Sequence, residues 1–137
     1  DRIKQEQVST EVEDLSKFHV LANDVRLEQV FINLISNALD AMQLSQHKRL
    51  KVYCQTDAAN LNIHFSDTGS GIDSDHLLQL FDPFFSTKDV GVGLGLGLTI
   101  SYSIIKTMGG DLSARNSASG AVFSIRLRAA RKSDRSL

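Results

Sequence analysis

The chain carries one long amphipathic run, RLEQVFINLISNALDA at residues 26–41, and this run decides how its first half folds. Apolar residues recur in it at the three- and four-residue spacing of an α-helix. The residues that share the apolar face are Leu27, Val30, Phe31, Leu34, Ala38 and Ala41, with Ile35, Leu39 and Met42 widening it. We therefore predict a largely buried helix from Arg26 to Met42, with its N-cap supplied by Asn23 and Asp24.

A narrow polar stripe runs along the same helix. It consists of Asn33, Ser36, Asn37 and Asp40. These positions are spaced i, i+3, i+4 and i+7, which places them on one face. No Lys, Arg or Glu lies between Gln29 and Gln46, and oxygen ligands without competing cations suit a hard divalent ion such as Mg²⁺. The alternative is an ordinary solvated face, and the helix alone does not decide between the two.

Length and composition restrict the protein further. The 137 residues leave room for one domain, and a net charge of -1 gives no electrostatic footprint for a nucleic-acid or anionic-membrane binder. The single cysteine excludes an internal disulfide framework and fits a reducing compartment. No apolar run approaches the roughly 20 residues of a membrane span, and no signal peptide opens the chain. We expect a soluble cytoplasmic domain.

Alternating apolar residues predict strands around this helix, and a second helical pattern follows the glycine-rich region. The mixture of strands and helices predicts one α+β layer pair. The predicted elements are a weak strand signal within 1–17, strands at 18–22, 50–55 and 61–66, a helical piece near 76–80, a helix at 95–108, a closing hairpin at 112–114 and 121–127, and a polar tail at 131–137.

All nine glycines lie between Gly69 and Gly120, and four of them alternate at residues 91–97. The alternating run leads directly into the second predicted helix. Backbone N–H groups at a helix start form an anion site without any positive side chain, which is how a chain of near-zero net charge can hold phosphate. The spacing is neither a Walker A loop nor a Rossmann fingerprint. A glycine run of this kind also fits a hinge.

Asp67 has the parity of the core face, because it continues the alternation of the apolar residues in the strand at 61–66. An inward carboxylate is costly unless it is hydrogen-bonded. The small residues Thr68-Gly69-Ser70-Gly71 follow it, so a flat ligand can approach the backbone there. The exocyclic amine of a purine would satisfy the acid. The alternative is an aspartate that caps its own Asp-x-Gly turn.

Residues 81–88 read FDPFFSTK and place three of the seven phenylalanines within five positions. Such a cluster marks a satellite core or a contact surface. Lys88 is the one Lys or Arg between Lys51 and Lys106. It is a candidate phosphate contact, the alternative being an exposed loop lysine.

Taken together and in this order, these segments resemble the catalytic and ATP-binding domain of sensor histidine kinases. Four motifs carry the resemblance: residues 26–41 resemble the N box, 67–72 the G1 box, 81–85 the F box and 93–98 the G2 box. The strings PFFSTK and GLGLTISY are most similar to the branch that contains nitrogen-regulatory and C4-dicarboxylate sensor kinases.

The resemblance implies a two-layer α/β sandwich of the Bergerat type. The resemblance implies a mixed sheet of about five strands, covered on one face by about three helices. Residues 18–130 would form the ATP-binding catalytic domain, with a mobile ATP lid at about 72–94. Residues 1–17 would be a leading segment with a possible edge strand, and the tail at 131–137 would be disordered.

The resemblance also implies the site residues. Asn37 would be the Mg²⁺ ligand, Asp67 the acceptor of the adenine amino group, and Asn33 and Asn37 the catalytic residues. Leu94 stands where the family usually has Thr or Ser. The full set of expected ATP contacts is Asn37, Asp40, Asp67, Gly69, Gly71, Ile72, Phe85, Lys88, Gly93, Leu94, Gly95, Leu96, Gly97 and Leu98.

Asn33 distinguishes the expected reaction from hydrolysis. In gyrase- and Hsp90-like ATPases the position four before the Mg²⁺ asparagine holds a glutamate that activates water, and an amide cannot take a proton. This favours transfer of the ATP γ-phosphate to an outside nucleophile. None of the four histidines has the sequence context of a phosphoacceptor, so the accepting histidine is expected on a separate dimerisation domain.

The resemblance therefore implies a histidine kinase domain that uses ATP and Mg²⁺, with a response regulator downstream. It implies no nucleic-acid partner and no direct membrane contact for this segment, which would be the cytoplasmic domain of an inner-membrane sensor. Two other functions stay open: a nucleotide-sensing interaction module without transfer, and an anti-sigma-type serine kinase on the same fold.

Overall fold

The computed structural model describes residues 7–12, 24–57, 59–82 and 94–128. They form a five-stranded mixed sheet in the order β1-β2-β3-β5-β4, with two α-helices packed on one face. The strands are β1 (Ser9–Val12), β2 (Arg49–Asp57), β3 (Asn60–Ser66), β4 (Asp111–Asn116) and β5 (Ala121–Arg128), and the helices are α1 (Asp24–Ala41) and α2 (Leu94–Thr107). The predicted α+β sandwich with a mixed sheet of about five strands is confirmed.

The helix count differs slightly from the expected three. Besides α1 and α2, the described residues contain a 3₁₀-helix of three residues, Leu77–Gln79, within the predicted helical piece at 76–80. α1 ends at Ala41, one residue before the predicted end, and Met42 begins a turn with its side chain fully buried. α2 begins and ends one residue earlier than predicted.

Strand pairing explains the mixed character of the sheet. β1 is an edge strand that runs parallel to β2, with Ser9 opposite Arg49. The remaining neighbours are antiparallel: β2 pairs with β3, β3 with β5, and β4 with β5. β1 lies within residues 1–17, where the strand signal in the sequence is weak. The strand predicted at 18–22 and the tail at 131–137 lie outside the described residues.

The core lies between the two helices and one face of the sheet. Alternate residues of β2, β3 and β5 point into it, since side chains along a strand face opposite sides. Phe31 of α1 meets Phe65 of β3 edge to face, with ring centroids 5.4 Å apart. This contact seats α1 over the centre of the sheet. In the described part of the chain, no helix is long and apolar enough to cross a membrane.

Candidate nucleotide-binding site

The polar stripe of α1 is half-buried along its whole length. Exposed positions of the same helix differ clearly, because Val25 and Ile32 expose 77% and 59% of their surface. The stripe is thus partly covered by neighbouring elements and is not an ordinary solvated face. Ser36 and Asp40 each have an interaction partner.

Asn33 connects α1 to α2. Its Nδ2 donates a hydrogen bond to Oγ of Ser101 at 3.1 Å, and Ser101 is completely buried. The family resemblance implies Asn33 as a catalytic residue, and the hydrogen bond that its amide makes here is with the neighbouring helix. This bond joins α1, which carries Asn37, to α2, which follows the glycine run. It therefore fixes the relative position of the two helices at one point.

Asn37 lies one helical turn after Asn33 and one turn before the end of α1. It is half-buried, and its side chain makes no hydrogen bond to any other described residue. The amide oxygen is therefore available to an ion. The described residues hold no cluster of three or more His, Cys, Asp or Glu that could bind a metal by itself, so an ion here would also need oxygens from phosphate and water.

Asp67 lies directly after β3 and is 2% exposed, as its parity predicts. Its Oδ1 accepts hydrogen bonds from the backbone N–H of Gly69 at 2.9 Å and of Ala121 at 3.2 Å. The bond from Gly69 is the Asp-x-Gly turn that the sequence left open as an alternative. No described residue donates to Oδ2. One carboxylate oxygen therefore holds the turn while the other is left for a further donor.

Burial has the largest effect on the pKa of Asp67. It raises the pKa of this carboxyl above its ordinary value, and the hydrogen bonds from Gly69 and Ala121 oppose the rise without cancelling it. A donor that reached Oδ2 would favour the ionised form further. The exocyclic amine of a purine is such a donor, and it brings no charge of its own.

The turn after Asp67 packs against the end of α1. A Cβ added to Gly69 would fall 2.6 Å from the carbonyl oxygen of Ala41, so only glycine allows this close approach. Ser70 N–H points to the same carbonyl at 3.4 Å. Ala41 follows Asn37 by four residues, about 6 Å along the helix axis. The structure thus brings the predicted adenine-side turn and the predicted metal ligand to one end of α1.

Sequence reasoning missed the contacts by which three residues shape this region. Thr68 accepts a hydrogen bond from the backbone N–H of Arg49 and donates to the carbonyl of His47, which fixes the turn to the start of β2. A Cβ on Gly120 would lie 2.4 Å from the carbonyl oxygen of Asp67. Ser101 is the third. Their partners lie far away in the chain, and only the glycine had a local sequence signal.

The residues predicted to contact phosphate lie only partly within the described residues. Gly97 and Leu98 lie in α2, where Leu98 is buried and Gly97 has open space around it. Leu94, Gly95 and Leu96 form the first turn of the same helix. Phe85, Lys88 and Gly93 lie outside the described residues.

An open groove of about 520 Å³ runs along the outer side of α2. Phe81 of the F box stacks on Tyr102 in it, with ring centroids 5.2 Å apart, and Lys106 lies over the same Tyr102 ring. None of the residues that line the groove is a predicted nucleotide contact. The predicted adenine acceptor Asp67 and the predicted metal ligand Asn37 are not among its lining residues.

Comparison with known proteins identifies the family. Residues 22–131 match the family of histidine kinase-, DNA gyrase B- and HSP90-like ATPases. The chain belongs to this family. The resemblance to sensor histidine kinases is confirmed.

The relatives that this ATPase domain matches are sensor proteins. Sensor protein FixL of Bradyrhizobium diazoefficiens is 47% identical over 114 residues, which cover 81% of the chain and 22% of FixL. The C4-dicarboxylate transport sensor protein DctB of Rhizobium meliloti is 40% identical over 110 residues, which cover 80% of the chain and 17% of DctB. The chain thus spans about a fifth of the length of these curated relatives.

Solved structures support the same assignment. The nucleotide-free catalytic domain of histidine kinase ThkA superposes with a TM-score of 0.77 at 27% identity, covering 93% of this chain and 82% of that chain. ThkA in complex with the response regulator TrrA also gives a TM-score of 0.77, at 25% identity and covering 94% of this chain and 36% of that chain. The ATPase domain therefore has the fold of a histidine kinase catalytic domain.

Proposed function

We propose that this ATPase domain binds Mg²⁺-ATP and transfers the γ-phosphate to a histidine on a separate dimerisation and phosphoacceptor domain. The phosphoryl group would then pass to a response regulator. The observation that carries the proposal is Asp67, a buried carboxylate that uses Oδ1 for its own turn and has no described donor on Oδ2.

Adenine fits the environment of Asp67. Its exocyclic amine would donate to Oδ2, and the small residues that follow Asp67 let the flat ring approach the backbone. Ile72 is half-buried against the core at the end of this turn, so it offers an apolar contact to the ring. A carboxylate that is half satisfied by protein selects a ligand with an amine, because a ligand without one leaves a buried acceptor unpaired.

Asn37 would hold the magnesium ion through its amide oxygen, with the remaining ligands supplied by phosphate and water. When bound, the ion neutralises phosphate charge. Backbone N–H groups at the start of α2 would contact the phosphates from the opposite side. This arrangement suits a chain whose net charge is -1, since it needs no basic patch.

Transfer rather than hydrolysis follows from Asn33. Its amide cannot accept a proton from water, and its Nδ2 already bonds to Ser101. In the transfer step the bond from the γ-phosphorus to the bridging oxygen breaks and ADP leaves with the electron pair. A phosphorus–nitrogen bond forms to the acceptor imidazole, whose ring proton passes to solvent. The domain contributes positioning, and the nucleophile comes from outside.

Calorimetric titration of ATP with and without Mg²⁺ tests the binding part. Asp67→Asn should abolish detectable binding, because the amide group can turn a donor toward the adenine amine. Asn37→Ala should remove the dependence on Mg²⁺. Matched controls are Asp57→Asn, at an exposed position at the end of β2, and Asn62→Ala, on the sheet face away from the helices. Wild-type affinity in both site variants would refute the site.

Phosphotransfer needs the second domain. We expect γ-labelled ATP to label a histidine of the phosphoacceptor domain when that domain is added to this chain, and to give little ADP without it. Label on serine would favour a serine kinase on the same fold, and ATP binding with no label would favour a sensing module.

The names of the relatives also suggest the setting of the whole protein. We infer that this domain lies on the cytoplasmic side of an inner-membrane sensor, where ATP and a response regulator are both available. The complex of ThkA with TrrA supports a response regulator as the downstream partner.

A further inference from the structure

Asn116, the last residue of β4, clamps the backbone of Ile72. Its Oδ1 accepts a hydrogen bond from the Ile72 N–H at 2.7 Å, and its Nδ2 donates to the Ile72 carbonyl at 2.7 Å. The side-chain amide thus pairs with both backbone groups of one residue, as a neighbouring strand would. The two residues are 44 positions apart in the chain.

The clamp stands out because Asn116 is an exposed residue. An exposed amide is ordinarily satisfied by water, and ordering its side chain costs entropy. Here it makes two short, well-defined bonds to the main chain. Gly71 makes room for it: this residue has a φ of +79°, and a Cβ added there would lie 3.0 Å from Oδ1 of Asn116. The turn is therefore shaped to receive the amide.

The same end of the hairpin also holds Asp67. Asn116 lies opposite Ala121 in the β4–β5 register. The carbonyl of Ala121 accepts a hydrogen bond from the N–H of Asp67, and the N–H of Ala121 donates to Oδ1 of Asp67. The hairpin turn is closed by Ser117, whose Oγ accepts from the N–H of Gly120. One closed turn therefore fixes the positions of both Asp67 and Ile72, which are five residues apart on the predicted adenine side.

We propose that Asn116 is a positioning residue for the nucleotide site, holding the Ile72 backbone in place before ATP arrives. This proposal rests on the proposed function and deepens it. Without the clamp, the nucleotide would have to order this backbone on binding, and ordering one residue corresponds to roughly tenfold in affinity. Asn116 does not touch the reacting atoms and acts through Ile72 alone.

Amide hydrogen exchange of Ile72 in the nucleotide-free chain tests the clamp directly. Asn116→Ala should speed exchange at Ile72 at least about tenfold, since the amide loses its acceptor. Asn116→Asp keeps the acceptor and loses the donor to the Ile72 carbonyl, so exchange should stay slow. Ser113→Ala, an exposed change on the same strand, is the control and should leave Ile72 unaffected. Unchanged exchange in Asn116→Ala would overturn the clamp.

ATP titration of the same variants tests the consequence. We expect Asn116→Ala to bind ATP about tenfold more weakly, Asn116→Asp to fall between it and wild type, and the ratio of affinities with and without Mg²⁺ to stay as in wild type. Variants are compared only where circular dichroism shows them fully folded. Faster exchange at Ile72 with wild-type affinity would overturn the positioning role. A wild-type chain that bound no ATP would refute the proposed function, whereas the exchange result would still decide whether the clamp exists.

Discussion

Replacing Asp67 by asparagine should separate the stability of the fold from its binding of nucleotide. Asparagine has the shape of aspartate, so its Oδ1 can keep both hydrogen bonds, from the N–H groups of Gly69 and Ala121. Its Nδ2 takes the place of Oδ2, to which no described residue donates. The substitution thus removes a buried charge without placing the new Nδ2 donor against another N–H donor of the described residues.

The sign of the stability change follows from the pKa of Asp67. Burial raises it above the unfolded value of 3.8, so between these two values the folded chain binds more protons than the unfolded chain. The stabilisation from this group is fully present below pH 3.8 and is lost as pH rises through the folded pKa. At pH 7 the carboxylate is therefore a net cost. We expect Asp67→Asn to gain on the order of 1 kcal/mol there, or roughly 3–5 °C in Tm.

Urea unfolding at several pH values, followed by circular dichroism, measures this gain. The advantage of Asp67→Asn should be present at pH 7 and disappear below pH 3.8, where the wild-type carboxyl is protonated in both states. Asp57→Asn, at an exposed position, should stay within about 0.5 kcal/mol of wild type. A variant less stable than wild type at pH 7 would show that the charged hydrogen bonds outweigh burial, and our reasoning on this residue would be wrong.

Three further predictions concern a buried hydrogen bond, the packing of two glycines and the titration of a histidine. Ser101→Ala should cost about 1 kcal/mol of unfolding free energy in chemical denaturation, because Asn33 loses its buried acceptor. Gly69→Ala should lower Tm, since its Cβ would fall 2.6 Å from a carbonyl oxygen. Gly97→Ala has open space around its Cβ, so helix propensity should raise the free energy of unfolding by about 0.5–1 kcal/mol. Equal effects of the two substitutions on Tm would contradict this difference in contacts. Burial lowers the pKa of His64 below 6.5, so wild-type stability should fall as pH drops below 6.5, and a His64→Gln variant that kept this pH dependence would exclude His64 as its source.

Local periodicity was enough to predict the elements that frame the site. The buried position of Asp67 follows from the alternation of β3, because a strand keeps its parity until its hydrogen bonding ends. The stripe that contains Asn37 follows equally from the helical repeat of α1. Both predictions depend on residues within one element, and there the pattern in the sequence and the geometry of the backbone carry the same information.

Contacts between distant segments could not be predicted in this way. The partners of Asn116 and Ser101 lie 44 and 68 residues away, and neither residue interrupts the pattern of its own element. β1 gave only a weak signal because it is a four-residue edge strand, in which pairing with β2 supplies the order that its own residues do not. Periodicity indicates which face of its element a residue occupies. It carries no information on which other residues pack against that face.

These distant contacts give the site its form. The end of α1 meets the turn after Asp67 through the carbonyl of Ala41, the β4–β5 hairpin holds both Asp67 and Ile72, and the Asn33–Ser101 bond joins α1 to α2. These contacts are hydrogen bonds and close backbone approaches at the margin of the apolar core, to which Ala121 itself belongs. Losing one of the hydrogen bonds would change the geometry of the proposed nucleotide site and leave the apolar contacts of the core in place. Each hydrogen bond contributes about 1 kcal/mol, which is small beside the stability of a domain, so the loss of one would not unfold the protein.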